Sequence, residues 1–115
     1  MSNPKPAPEA RFAKTLRAVR AIRGLSQEQF DAVSGRTYLS ALERGLKIPT
    51  IGKVEDLARV LDVHPLTLLA LCYCPELTEV HFQALWNSIA TEGTELLSQH
   101  NSLGQGGGNT EVSGR

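Results

Sequence analysis

Gly24, Gly35 and Gly45, together with Pro65, cut the first 72 residues of this chain into apolar-periodic segments too short to stand alone as helices. Helices of that length are marginal in water unless each buries an apolar face against a neighbour. The punctuation therefore selects a small all-α bundle of short helices joined by tight turns.

The periodicity fills in the segments. Phe12, Leu16, Val19 and Ile22 predict a first helix with Lys14, Arg17 and Arg23 on its outer face. Gly24 ends it, because glycine accepts the left-handed turn that follows a last helical residue. Ser26-Gln27-Glu28-Gln29 reads as a capping box opening a second helix to about Val33, with Phe30 and Val33 inward. Ser34-Gly35 makes a tight turn. A third helix, Arg36 to Arg44, turns Leu39 and Leu42 inward and Arg36, Thr37, Ser40 and Ala41 outward, and Gly45 closes it. Thr50 caps a fourth helix with the stripe Ile51, Val54, Leu57, Ala58 and Leu61. After a break at Asp62 to His64, Pro65 suits the first position of a fifth helix, where its missing amide donor is not needed. His64 falls at the cap position, a structural role.

The fifth helix, about Pro65 to Cys72, carries Leu66, Leu68, Leu69 and Leu71 around its circumference and so demands more than one partner. The segment from Thr78 to about Gln99 supplies candidates: Phe82, Leu85, Trp86, Ile89 and Leu96 recur at near-heptad spacing, with Gly93 in the stripe. Either one long helix or two shorter ones fit. A dimer interface is expected over Leu68, Leu71, Phe82, Leu85, Trp86 and Ile89. The organisation expected is a proline-punctuated flexible arm over 1–8, a compact domain over 9–72, a helical extension over 73–100 and a disordered tail over 101–115.

Net charge is zero, but its distribution is uneven. Residues 1–72 hold 11 Lys and Arg against 7 Asp and Glu, while residues 73–115 hold 1 against 5. A basic first part and an acidic remainder suit a domain that meets an anionic partner with one end. No apolar run approaches the ~18 residues of a membrane span, and the opening residues lack the apolar stretch of a secretory signal. Two cysteines, Cys72 and Cys74, are too few for a disulfide framework, and a cytoplasmic location is expected. No metal is expected either, because the nearest histidines, His64 and His81, lie at no ligand spacing from that pair. Paired carboxylates, a nucleophile with a base, and a phosphate-binding glycine loop are all missing, so neither an enzyme nor a cofactor is expected.

The ordered set Leu16-Arg17-x-Val19-Arg20-x-x-Arg23-Gly24-Leu25-Ser26-Gln27, then Tyr38-Leu39-Ser40-x-Leu42-Glu43-Arg44-Gly45 and Pro49-Thr50, resembles the Cro and phage-repressor helix-turn-helix family, also called the xenobiotic-response-element type. The resemblance covers about residues 9–72. It implies a five-helix repressor-type helix-turn-helix domain with a C-terminal helical extension, in a bacterial or phage-type regulator. It further implies sequence-specific binding of a double-stranded DNA operator by a homodimer, here with repression expected. The third helix becomes the recognition helix, with Arg36, Thr37, Ser40 and Ala41 presented to base edges. Gln27, Arg44, Lys47 and Lys53 are implied phosphate contacts. Arg20 and Glu43 match a structural salt bridge between the first and third helices. The chain departs from the family between Gln27 and Tyr38, where it is shorter than the common form and puts Gly35 where Ser or Thr would cap. A re-aimed third helix could then hand base reading to Ser40 or Arg44.

A restriction-modification controller and an antitoxin that regulates its own operon use the same domain. The reading from another class is a protein-interaction module that does not bind DNA.

Overall fold

The computed structural model describes residues 6–107. Its elements are α1 (Pro8–Arg23), a single 3₁₀ turn (Gln27–Phe30), α2 (Arg36–Glu43), α3 (Ile51–Leu61), α4 (Pro65–Tyr73) and α5 (Glu79–Gly107). The fold is all-α, with five helical elements before α5. The chain divides between Leu77 and Thr78 into two compact units. Residues 1–5 of the expected flexible arm, and 108–115 of the expected tail, lie outside the described residues.

In the first unit the helix ends are built as the punctuation requires. Pro8 occupies the first turn of α1. Gly24, with φ 69°, closes the helix, its N–H bonding to the Ala21 carbonyl while Leu25 N–H reaches the Arg20 carbonyl at 3.1 Å. Gly45, with φ 75°, closes α2 in the same way through Leu46 N–H to Ala41 O. Asp62 repeats the turn at the end of α3 without being glycine, with φ 58°. Thr50 Oγ1 accepts from Lys53 N–H at 3.1 Å, and His64 Nδ1 accepts from Leu66 N–H at 3.0 Å. Both are caps that satisfy donors with no partner inside the helix.

Phe12, Leu16, Val19, Phe30, Leu39, Leu42, Val54, Leu57, Leu61, Leu68 and Cys72 form one core. Two residues expected in it are outside: Ile22 is 80% exposed and Ile51 is 76% exposed. At 100° per residue Ile22 falls nearly a quarter-turn from the Phe12–Leu16–Val19 stripe, and Arg23 takes the place in line with it. Ile51 occupies the first position of its helix, ahead of the turn that packs.

The expected second helix, Gln27 to Val33, is corrected to one 3₁₀ turn followed by turns. Its bonds run Gln29 N–H to Ser26 O and Asp31 N–H to Glu28 O, and Gln29 Oε1 accepts from Ser26 N–H at 2.8 Å. A 3₁₀ helix rises about 2.0 Å per residue against about 1.5 Å for an α-helix, so fewer residues cover the same path.

The second unit contains α5, unbroken through Gly93. Thr78 Oγ1 accepts from His81 N–H at 3.1 Å at its start. Helix α5 continues to Gly107, into the stretch expected as a tail: extending an existing helix adds one bond per residue and needs no new nucleus. Leu103, 77% exposed, therefore joins Phe82, Ile89 and Leu96 at strict seven-residue intervals. No Lys or Arg occurs between Thr78 and Gly107, whereas Glu79, Glu92 and Glu95 do. No helix among the described residues is long and apolar enough to cross a membrane.

Candidate DNA-binding face

Helix α2 is eight residues long and is held from two sides, by α1 and by the 3₁₀ turn. Leu39 and Leu42 are fully buried, and this grip leaves Arg36 and Thr37, at the N-terminal end, exposed. Ser40 is half-buried and Arg44 is exposed just past the C-terminal end. Ala41 is 6% exposed, which corrects its expected outward placement. On a helix gripped from two directions, the position opposite one contact can lie under the other. Its methyl group is structural.

The clamp centres on Glu43. Its carboxylate accepts from Arg20 Nε at 2.6 Å and Nη2 at 2.9 Å, a two-pronged ion pair joining α1 to α2. Gln27 Nε2 adds a third hydrogen bond at 2.9 Å, and Arg20 Nη1 also ties to the Leu25 carbonyl at 2.9 Å. Burial alone would push the Glu43 carboxyl up. The bonds from Arg20 and Gln27, with the charges of Arg20 and Arg17, overcome that and hold it below the usual carboxylate range. The Arg20 guanidinium is raised in turn, chiefly by its bond to Glu43.

Several cations that the sequence assigns to a free basic face serve the scaffold instead. Arg17 Nη1 donates to the Glu43 carbonyl at the end of α2. Arg23 donates to the Leu61 and Asp62 carbonyls at 2.8 and 3.0 Å, covering the end of α3. Lys53 Nζ donates to the Val33 carbonyl at 2.6 Å. Lysines and arginines at helix and turn C-termini satisfy carbonyls left over there and meet the negative end of the helix dipole. A signal for Arg23 exists in the sequence, since it lies four residues beyond Val19 on the buried stripe.

Arg36 Nη2 lies 3.4 Å from Asp31 Oδ2 and 3.6 Å from Glu28 Oε2, between side chains that are all more than half exposed. Such pairs are weak and leave the guanidinium free to exchange partners. Lys47 and Lys53 bracket the Tyr38 ring, their ammonium groups 5.4 and 5.5 Å from its centroid. The Arg44 side chain has no hydrogen-bond or ion-pair partner among the described residues. Of the implied phosphate contacts, Arg44 and Lys47 stand open, whereas Gln27 and Lys53 are half-buried and already bonded.

The remaining surface expectations divide. Leu68 is fully buried in the core of its own unit, so it cannot also face a second copy, and its place in the expected dimer interface is corrected. Leu71, Phe82 and Leu85 are half-buried, and Trp86 and Ile89 are each 41% exposed. Cys72 and Cys74 are free thiols, and burial pushes both up, away from the reactive thiolate form.

A helix-turn-helix family profile matches residues 16–68, from Leu16 in α1 through the first turn of α4. An uncharacterized HTH-type transcriptional regulator of Sinorhizobium fredii, y4dJ, is 42% identical over 53 residues, covering 44% of this chain and 69% of that protein. The chain belongs to the helix-turn-helix family. A hypothetical transcription factor from Neisseria, NHTF, known from a crystal structure, is similar at 30% identity over 60% of this chain and 85% of that one, with a TM-score of 0.49. The Cro and phage-repressor resemblance is thus shown by the family match. This helix-turn-helix protein is by family a DNA-binding transcriptional regulator.

Proposed function

We propose that this helix-turn-helix protein binds a two-fold operator as a homodimer and represses transcription by occluding a promoter. The observation that carries the reading is the grip on α2: its inner face is buried and locked through Glu43, and Arg36 and Thr37 project from its N-terminal end. A guanidinium there can donate two bonds to guanine O6 and N7 in the major groove. Thr37 and Ser40 supply hydroxyls for a base or a phosphate. Arg44 and Lys47 contribute phosphate contacts, which add affinity without sequence information, and Gln27 and Lys53 do so only by exchanging their present partners.

The second copy enters through α5. Phe82, Ile89, Leu96 and Leu103 repeat every seven residues, the period of a coiled-coil seam, and Leu85 and Trp86 widen it at one end. Selection of bound sites from randomised duplex DNA tests the reading. A palindromic motif, with half-sites about one helical turn or a multiple of it apart, is the expected product. Absence of any enriched sequence would leave a protein-interaction module as the better description.

A further inference from the structure

We propose that the helix-turn-helix unit carries an effector site for a small carboxylate with an apolar body, in a cavity of about 600 Å³ between α1 and the segment from Leu71 to Leu77. The volume suits a small organic molecule. Three cations of α1, Arg11, Lys14 and Arg17, line it against a single acid, Glu76. Leu71, Tyr73 and Leu77 give an apolar wall, and the buried Thr15 and Cys72 also line it.

Arg11 makes the case for a ligand. Its Nε is shut off from water and has no hydrogen-bond partner among the described residues. Its Nη1 reaches the Pro6 carbonyl at 3.3 Å, and its guanidinium carbon stands 5.1 Å from the Tyr73 ring centroid. A buried donor left without an acceptor is costly, and native structures seldom tolerate one without a reason. A turn of the guanidinium that opens Nε to the cavity would let a carboxylate oxygen fill it. The planar guanidinium matches that group, and Lys14 adds charge. The apolar wall selects for a hydrocarbon or aryl body over a bare inorganic anion.

Arg17 links this cavity to α2, because it lines the one and donates to the Glu43 carbonyl at the end of the other. An anion in the cavity competes for that guanidinium and adds negative charge beside a DNA-binding unit. Both effects lower operator affinity, and DNA must weaken carboxylate binding by the same factor. This linkage rests on the DNA-binding reading; the cavity itself does not.

The test is a two-dimensional amide NMR titration of the full chain, without DNA, using phenylacetate, indole-3-acetate and octanoate, their uncharged amides, and inorganic phosphate. Saturable shifts at Ala10, Thr15 and Tyr73 with at least one carboxylate, and none with its amide or with phosphate, are expected. Arg11→Gln should weaken that binding by about tenfold or more. Ala10→Trp, which fills the cavity from an exposed helix position, should abolish it, and the spectrum itself reports whether each variant is folded. Silence with all three carboxylates, equal shifts with the amides, or unchanged binding in folded Ala10→Trp overturns the site. Fluorescence anisotropy on the selected operator then reads the linkage. Operator affinity unchanged at saturating carboxylate overturns the effector role, whereas failure to bind any duplex sinks the DNA-binding reading and leaves the titration standing.

Discussion

Glu43 shows how a single charge can be both costly and indispensable. Its side chain is 5% exposed, and only the bonds from Arg20 and Gln27 make that burial tolerable. Glu43→Gln should cost about 2–4 kcal/mol at neutral pH, since it leaves Arg20 without its counter-charge. Because the folded carboxyl is held below its unfolded value, its contribution is complete above the unfolded value and disappears as pH falls through the folded one. Urea melts across the acid range should show the wild type losing stability there and the variant following a flatter course. A parallel pH profile for the two proteins would assign the acid sensitivity elsewhere. Asp62 offers a cleaner backbone test. At φ 58° it holds a conformation that glycine adopts freely, so Asp62→Gly should stabilise the fold by about 0.5–1 kcal/mol in thermal or urea melts. A destabilised variant would mean that the aspartate side chain contributes more than its backbone strain takes away. At the DNA face, Arg36→Ala should cost about 1–3 kcal/mol on the selected operator and relax one base pair per half-site. Arg44→Ala should weaken all duplexes alike. An unchanged site logo for Arg36→Ala would pass the reading to another side chain.

At the scale of the element, α2 is the point of interest because it is short and unaided at its start. Gly35 is its cap residue, with ordinary φ of −69° and no side chain to satisfy the first amides. A Cβ added there meets nothing within 4 Å. Gly35→Ser therefore adds a capping hydroxyl in open space and removes unfolded-state freedom, for an expected gain of about 0.5–1 kcal/mol. Denaturant melts measure it, and a loss of stability would show that the turn needs glycine for a reason other than its backbone angle. The 3₁₀ turn before α2 has the complementary role: it brings Gln27 to Glu43, so the connection is itself part of the clamp.

At the scale of the whole molecule, the two units are expected to divide the labour of binding. The first supplies electrostatic affinity, yet Arg17, Arg23 and Lys53 are engaged with carbonyls, so the slope of log affinity against log salt should be modest. It should reflect chiefly Arg44 and Lys47, at roughly 0.9 per phosphate neutralised. A flat salt response would remove the phosphate contacts from the account. The second unit is expected to supply valency. Trp86→Glu places a charge at a 41% exposed position of the α5 stripe and should give a folded monomer with much weaker operator binding. Sedimentation that finds the wild type monomeric at micromolar concentration would overturn the dimer.

Much of this fold was legible in the sequence because its strongest determinants are local. Gly24 and Gly45 close helices through backbone angles that belong to one residue, and Thr50 and His64 cap amides two or three residues away. Apart from Ile22 and Ile51, the large apolar positions of α1, α2 and α3 declare their faces by period alone. The ordered motif also pointed to the Arg20–Glu43 pairing that the structure contains. What the sequence could not decide depended on groups far apart in the chain. Ala41 looked outward because period counts one packing partner, and α2 has two. Leu68 looked available because nothing local said that α1 and α3 enclose it. Arg17, Arg23 and Lys53 looked free because their partners are carbonyls 20 or more residues away. A carbonyl has no signature in the sequence; only the folded chain, by ending a helix beside a particular side chain, decides which cation it takes.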